Sequence, residues 1–242
     1  MKSFFNIYYF HTSLDIEIAP RNMKAEYNKP INLDKLKNKI NNDKDSILII
    51  ANGPSALSKK YGELIDKFST VGRINNYVTD KFNNFVGIKT DIWFNGANKG
   101  LKKRKKMPSK IIVLVPAEIQ YAKEQRVINR TPSRLGIQKN KYTLLAKETM
   151  KEFEDYSNIK RLTTGLSSIL WGLHNYNKVI IYGFDFFIDS QEHYYDSSIN
   201  RFFVNSGIIK RGKKHNNIAE RSFVQKLIKE KQVITLQEYL KV

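Results

Sequence analysis

Short apolar runs recur along the chain, and polar stretches with turn-forming residues separate them. Each run covers four to six residues and is rich in β-branched side chains, which is typical of a strand buried on both faces. The six predicted strands are residues 46–50, 69–74, 91–94, 110–115, 179–182 and 233–236.

Between several of these strands, apolar residues return at every third or fourth position, which is the period of an amphipathic helix. Helices are predicted over residues 57–68, around Leu166, Ile169, Leu170 and Leu173, and around Phe223, Val224, Leu227 and Ile228. Short apolar strands that alternate with helices predict an α/β fold with a mostly parallel sheet and helices on both faces. With 242 residues, we expect a single domain with this Rossmann-like fold.

The first 45 residues show no sustained period and contain two prolines, which predicts an N-terminal arm with one short helix at residues 33–40. Residues 46–242 form the predicted domain, and the stretch from about 99 to 160 is its variable lid or acceptor region. The opening twenty residues are apolar for only a few positions at a time. We therefore expect neither a signal peptide nor a membrane span there.

The chain has 42 Lys and Arg against 23 Asp and Glu, a net charge of +19 that favours anionic partners. Nucleic acid, nucleotide substrates and acidic lipid headgroups all fit this charge. The densest basic run, KGLKKRKKMPSK at residues 99–110, is by default a solvated loop, with an anionic membrane or a charged acceptor as alternatives. Cysteine is absent, which excludes thiol chemistry and agrees with an expected cytoplasmic location.

Polar residues follow the first three predicted strands. The first is followed by the sequence NGPS, with Asn52, Gly53 and Ser55, the second by Asn75 and the third by Asn95. Ligands of parallel sheets bind at the carboxyl ends of the strands, and asparagine offers both a donor and an acceptor to phosphate or sugar. One asparagine at a strand end is usually a turn former, but three that converge favour a ligand site. Neither a Walker loop nor a dinucleotide fingerprint is present.

Two further polar groups flank the fifth predicted strand. Before it, a helix is predicted to begin at Thr163, Thr164 and Gly165. A threonine at this point is ordinarily an N-cap, but the free amides of the helix N-terminus can also bind the carboxylate of a ligand. After it come Gly183 and Asp185, and an acid at this point either binds ribose hydroxyls or caps a turn.

The motifs occur in a recognisable order: NGPS, R-x-N, V-G-x-K-T, T-T-G, Y-G-F-D, H-Y-Y-D and H-x4-E. This order resembles the sialyl motifs of the sialyltransferases in glycosyltransferase families 29 and 42, over roughly residues 46–236. H-Y-Y-D and H-x4-E follow the family 29 wording, whereas NGPS and G-F-D-F-F are nearer the bacterial family 42 wording. The resemblance implies a single nucleotide-binding domain with a GT-A-like variant of the fold. It also implies an enzyme that transfers sialic acid from CMP-sialic acid to a glycan or glycolipid hydroxyl, with inversion and with neither a metal nor another cofactor.

The resemblance also implies catalytic roles. His215 of H-x4-E would be the general base, for which an imidazole with a pKa near ~6.5 is well suited. His193 or Tyr194 of H-Y-Y-D would donate a hydrogen bond to the departing CMP phosphate. Glu220 would help to hold its motif, or be an ordinary acid at a helix start.

The donor-binding positions implied by the resemblance share one location, the strand ends and the helix start before the fifth strand. The asparagines would hold the donor phosphate and sugar, and Thr164 with the Gly165 amide would hold the sialic acid carboxylate. Gly183 and Asp185 would contact the CMP ribose or base. The full set is Asn52, Gly53, Ser55, Asn75, Asn95, Thr163, Thr164, Gly165, Gly183, Asp185 and Tyr195.

The chain departs from both families at several points. Phe187 stands where the bacterial family has a tyrosine, so any phenol role moves to Tyr194 or Tyr195. The disulfide of the eukaryotic family cannot form without cysteine. Two alternatives stay open: a donor such as CMP-Kdo, and a basic nucleic-acid-binding protein, although no groove-reading motif is present and nucleic acid is not expected. The charge also leads us to expect a peripheral position at an acidic inner membrane surface.

Overall fold

The computed structural model describes residues 40, 43–185, 193–195 and 216–241. Most of the predicted arm, Phe187 and His215 lie outside these residues, so the structure does not test the predictions made for them. None of the helices in the described part is long and apolar enough to cross a membrane.

The described strands form one sheet in which all neighbouring pairs are parallel, in the order β5-β4-β3-β2-β1-β6-β7. The strands are β1 (Ser46–Ile50), β2 (Thr70–Ile74), β3 (Ile92–Asn95), β4 (Lys110–Val113), β5 (Thr143–Leu144), β6 (Lys178–Tyr182) and β7 (Val233–Thr235). All six predicted strands are confirmed, and so is the α/β fold. The seventh, β5, has only two residues and presents no apolar run to recognise.

The described helices are α1 (Gly62–Ile65), α2 (Asn83–Val86), α3 (Ala117–Leu135), α4 (Lys147–Ser157), α5 (Thr164–Asn175), α6 (Asn217–Lys229) and α7 (Leu236–Leu240). The helices predicted before β6 and β7 are confirmed as α5 and α6. The single helix predicted over residues 57–68 is wrong, because a 3-10 turn at Pro54–Leu57 and the four-residue α1 replace it. Gly62 favours helix weakly, and a Cβ there would lie 1.8 Å from the carbonyl oxygen of Asn83.

Helices cover both faces of the sheet, as predicted. Ile47 and Ile49 of β1 belong to a core cluster with residues of α5 and α6, whereas Leu48 and Ile50 belong to a second cluster with α1 and α7. All five residues of β1 are buried, because β1 is a central strand with helices on each side. A third cluster joins β3 and β4 to α3.

The position of β1 locates the ligand-binding edge. The chain proceeds from β1 to β2 on one side, while β6 pairs with β1 on the other side. The loops after β1 and β6 therefore leave the sheet at a reversal of strand order, where open α/β sheets bind ligands.

Candidate functional site

A cavity of about 110 Å³ lies at the carboxyl ends of β1, β2 and β6. Its walls come from the strand-end loops, the first residues of α5 and α6, and His193. Nine predicted site residues line it: Asn52, Gly53, Asn75, Thr163, Thr164, Gly165, Gly183, Asp185 and His193. We call this space the small cavity. The structure thus brings together residues that are up to 141 positions apart in the sequence.

Asn52 connects three parts of the site. Its Nδ2 donates a hydrogen bond to the carbonyl oxygen of Ile74 at the end of β2, at 2.8 Å. Its own carbonyl oxygen accepts a hydrogen bond from the amide of Tyr194, at 2.9 Å. The side chain is only 6% exposed, so these contacts hold the β1 loop, the end of β2 and the H-Y-Y-D segment in one arrangement.

Hydrogen bonds connect the loop after β1 to the loop after β6. The amide of Gly53 donates to the carbonyl oxygen of Gly183 at 2.9 Å, and both the amide and the hydroxyl of Ser55 donate to the carboxylate of Asp185. A Cβ at Gly53 would lie 2.3 Å from Oδ2 of Asp185, and Gly183 has a left-handed φ of +71°. Both positions therefore require glycine.

A larger cavity of about 550 Å³ borders the same two loops. The two cavities share Gly183, Phe184 and Asp185, and Ser55 lines the larger one.

The two predicted asparagines of β2 and β3 differ in position. Asn75 lines the small cavity with a left-handed φ of 50°, and its carbonyl oxygen accepts a hydrogen bond from Nε1 of Trp93 at 2.7 Å. Asn95 is fully buried, does not line either described cavity, and accepts a hydrogen bond from the amide of Ala97 on its Oδ1. Oδ1 of Asn95 thus closes a local turn, its buried Nδ2 has no hydrogen-bond partner among the described residues, and its contact with the donor stays a prediction.

Thr163 caps α5 and is itself held from α6. Its Oγ1 accepts a hydrogen bond from the amide of Leu166 at 3.2 Å and donates one to Oε2 of Glu220 at 2.5 Å. The amide of Thr163 also donates to Oε1 of Glu220 at 2.7 Å. Glu220 therefore fixes the end of α5 that carries Thr164 and Gly165.

Glu220 is an acid in an almost closed environment. It is 1% exposed, and burial raises its pKa to about 7, although the two hydrogen bonds from Thr163 act in the opposite direction. A carboxyl group with this pKa changes its charge near neutral pH. Glu220, the acid of H-x4-E, thus holds the N-terminus of α5 through its two hydrogen bonds from Thr163.

His193, Tyr194 and Tyr195 have separate environments. His193 lines the small cavity, and its ring stacks on Tyr195 with the ring centroids 5.2 Å apart. The hydroxyl of Tyr194 instead donates to the carbonyl oxygen of Val78 at 2.8 Å and accepts from the amide of Val78 at 3.2 Å. Burial raises the pKa of Tyr194.

His193 and Tyr194, the two residues predicted to donate a hydrogen bond to the departing phosphate, differ in their position relative to the small cavity. The phenol of Tyr194 packs edge-on against Phe82, and Tyr194 is absent from the described walls of the cavity. Tyr194 is therefore buried and bonded to the backbone of Val78, away from the described walls of the cavity, and its catalytic role stays a prediction. His193 occupies the cavity wall, and Tyr195 supports its ring.

Sequence analysis missed several residues of the small cavity: Ala51, Ile74, Phe184 and Asn217. The first two are the apolar ends of strands and carry no recognisable chemical signal. Phe184 and Asn217 lie inside the motifs Y-G-F-D and HNNIAE. Their positions within these motifs are the signal in the sequence that could have identified them.

Comparison with known proteins gives one family and several structural relatives. The model of glycosyltransferase family 29 (sialyltransferase) matches residues 6–232. A mammalian sialyltransferase solved in complex with Gal-β-1-3GalNAc-ortho-nitrophenol has 17% identity and a TM-score of 0.57, with 79% of this chain and 69% of that chain covered. The sialyltransferase CstII from Campylobacter jejuni, solved with CMP-3FNeuAc, has 16% identity and a TM-score of 0.51, with 79% and 81% covered.

A curated relative has a different activity in its name. The chain is 42% identical over 53 residues to a β-1,6-galactosyltransferase of Arabidopsis thaliana. The match covers 22% of this chain and only 13% of that protein's length. The structural relatives, which share less than a fifth of their residues with this chain, establish the fold.

Proposed function

Because the chain belongs to glycosyltransferase family 29, the sialyltransferase family, we propose that it transfers sialic acid from CMP-sialic acid to a hydroxyl of a glycan or glycolipid. One observation carries the proposal: nine motif residues, far apart in the sequence, line one small cavity at the reversal of strand order. The Campylobacter jejuni relative, whose solved complex contains CMP-3FNeuAc, supports the choice of donor.

The N-terminus of α5 suits the carboxylate of a keto-acid sugar. α5 is a twelve-residue helix, and its free amides and partial positive charge face the cavity at Thr164 and Gly165. Asn52 and Asn75 add uncharged polar groups on the opposite strand ends. Sialic acid and Kdo both carry this carboxylate, whereas galactose does not.

The residues that line both cavities, Gly183, Phe184 and Asp185, suit the part of the donor where the nucleotide joins the sugar. In the proposed complex the sugar occupies the small cavity, and the nucleoside lies towards the larger one, with Gly183 and Asp185 near the ribose or base. Asp185 receives two hydrogen bonds from Ser55, and a carboxylate has further acceptor sites for a ribose hydroxyl.

The proposed chemistry is an inverting, metal-independent displacement at the anomeric carbon. His215 removes the proton of the acceptor hydroxyl as that oxygen attacks, the bond to the CMP phosphate breaks, and His193 donates a hydrogen bond to the departing phosphate. His215 precedes the cavity residue Asn217 by two positions in the sequence.

Donor choice is tested by measuring nucleotide release from CMP-sialic acid, CMP-Kdo and UDP-galactose in separate reactions, with and without a glycan acceptor. We expect release from both CMP-sugars to exceed release from UDP-galactose, because the N-terminus of α5 suits a carboxylate. Of the two, CMP-sialic acid is expected to be the faster because the family is that of the sialyltransferases. UDP-galactose is included because of the match to the galactosyltransferase. Turnover of UDP-galactose without turnover of either CMP-sugar would contradict the proposal. Turnover of no nucleotide sugar, with tight and salt-sensitive RNA binding, would favour a nucleic-acid-binding protein.

The role of His215 predicts a pH dependence. With saturating donor, the transfer rate at pH 5 is expected to be about 30-fold below the rate at pH 7.5, because an imidazole with a pKa near ~6.5 becomes protonated. The residual rate of H215A should lack this decrease. H174A is the matched control, since His174 is exposed near the end of α5 and does not line the described cavities. A flat profile in the wild type would exclude His215 as the base.

A further inference from the structure

One segment carries more than half of the chain's net positive charge. Residues 97–141 contain thirteen Lys and Arg against two Glu, while the whole chain has a net charge of +19. Both acids form ion pairs outside this segment, Glu124 with Lys147 at 2.9 Å and Glu118 with Arg161 at 3.8 Å. Among the described residues, the cations of this segment therefore have no acidic partner.

Three of these cations repel one another along α3. Arg126, Arg130 and Arg134 are four residues apart, so they lie on one face of the helix. Burial, and then the charges of Arg134 and Arg126, lower the pKa of Arg130. Nε of Arg130 is buried and has no hydrogen-bond partner in the part of the chain that the structure describes. A bound anion would supply a partner and would relieve the repulsion.

The loop of residues 99–106 is attached to the rim of the small cavity. Asn75 lines the cavity, and the side chain of the next residue, Asn76, donates to the carbonyl oxygen of Gly100 at 2.9 Å and accepts from the amide of Lys102 at 2.8 Å. The guanidinium of Arg104 lies 3.4 Å from the ring centroid of Tyr77. Consecutive residues 75–77 thus couple the cavity to the basic loop.

The same loop region also contacts α3. Nη1 of Arg134 donates to the carbonyl oxygen of Ala97 at 3.1 Å. A Cβ at the neighbouring Gly96 would lie 3.2 Å from Oγ1 of Thr164, which belongs to the cavity. We define the basic surface as residues 99–106 together with Arg126, Arg130 and Arg134. It extends from the cavity rim to the middle of α3.

We infer that the basic surface binds the acceptor, and that this acceptor is an oligosaccharide with negatively charged groups next to the hydroxyl that receives the sugar. The inference rests on the proposed function. Carboxylate, phosphate and sulfate groups all match the planar fork of an arginine side chain. The surface is continuous with the cavity rim, where the acceptor hydroxyl must arrive, and this favours a glycan over a membrane contact.

The test compares the binding of lactose and of lactose carrying one sulfate group, measured by calorimetry. For the wild type at low salt, we expect the Kd of sulfated lactose to be at least about tenfold lower, and this preference should shrink at high salt. In K106E/R126E, the Kd of sulfated lactose should rise about tenfold, with the Kd of lactose unchanged. The matched control K59E/K60E changes the net charge equally at two exposed residues outside the basic surface and should retain the preference.

Two further measurements separate the outcomes. CMP release from CMP-sialic acid without acceptor tests the proposed function alone, and K106E/R126E should release CMP at the wild-type rate. Equal Kd values for both lactose forms in the wild type, or an equal loss in K59E/K60E, would overturn the inference. The inference would also be overturned if K106E/R126E kept the wild-type Kd for sulfated lactose but no longer sedimented with phosphatidylglycerol vesicles. The basic surface would then be a membrane contact.

Discussion

Replacing His193 with alanine is expected to lower kcat for sugar transfer by about 10²–10³-fold, with a much smaller change in the KM of the donor. His193 lines the small cavity, and in the proposed mechanism its hydrogen bond strengthens as charge develops on the departing phosphate. Removing one donor of this kind typically costs about 3–4 kcal/mol of transition-state stabilisation. Steady-state kinetics with varied donor separates kcat from KM.

Tyr194→Phe is the matched control for His193→Ala. It removes a neighbouring polar group that bonds to the backbone of Val78. We expect a loss of about 1–3 kcal/mol in the free energy of unfolding, because the backbone groups of Val78 lose their partner, and a nearly unchanged kcat. If Tyr194→Phe lowered kcat a hundredfold while His193→Ala did not, the roles assigned to the two residues would be reversed.

Replacing Glu220 with alanine is expected to raise the KM of the donor about tenfold, which corresponds to about 1.4 kcal/mol. The amide and hydroxyl of Thr163 would lose their acceptor, so the start of α5 would no longer be held against the donor carboxylate. A lost hydrogen bond to a charged group costs about 1.5–3 kcal/mol, so the expected change is moderate. A donor KM equal to that of the wild type would contradict this role.

Glu220 also makes a predictable contribution to the pH dependence of stability. Burial raises its folded-state pKa to about 7, above the usual value of 4.5. The native state therefore binds the proton more tightly than the unfolded state, and the stabilisation is complete below about pH 4.5 and is lost as pH rises through about 7. The shift corresponds to about 3 kcal/mol. Urea unfolding of the wild type and of Glu220→Gln at pH 5 and pH 8 measures this difference.

Glu154→Gln is the control for the stability measurement. Burial also raises the pKa of Glu154, which lies on α4 and accepts a hydrogen bond from the amide of Ala117. We expect Glu154→Gln to alter the pH dependence of unfolding in the same direction without changing the KM of the donor. A change in donor KM in both variants would mean that general destabilisation, rather than the contact with Thr163, causes the effect.

Local pattern determined much of the fold. The six predicted strands are buried on a sheet that is covered on both sides, and such strands must be continuous apolar runs. Alternation with helices then requires parallel pairing, and parallel strands direct their polar carboxyl ends to one edge. The pattern of strands therefore predicted Asn52 and Asn75 as neighbours, and the resemblance to the sialyl motifs added Thr164. β5 escaped this reasoning because two strand residues are too few to show a period.

Only the tertiary structure decided which of several similar residues line the small cavity. Asn75 follows β2, whereas Asn95 is the last residue of β3, which lies two strands away from β1, roughly 10 Å along the sheet. Oδ1 of Asn95 accepts a hydrogen bond in its own turn. His193 and Tyr194 are adjacent in the sequence, yet one lines the cavity and the other points to Val78. Glu220 meets Thr163 across 57 positions. Sequence patterns reflect local geometry, whereas these choices depend on distances between segments that only the packed chain brings together.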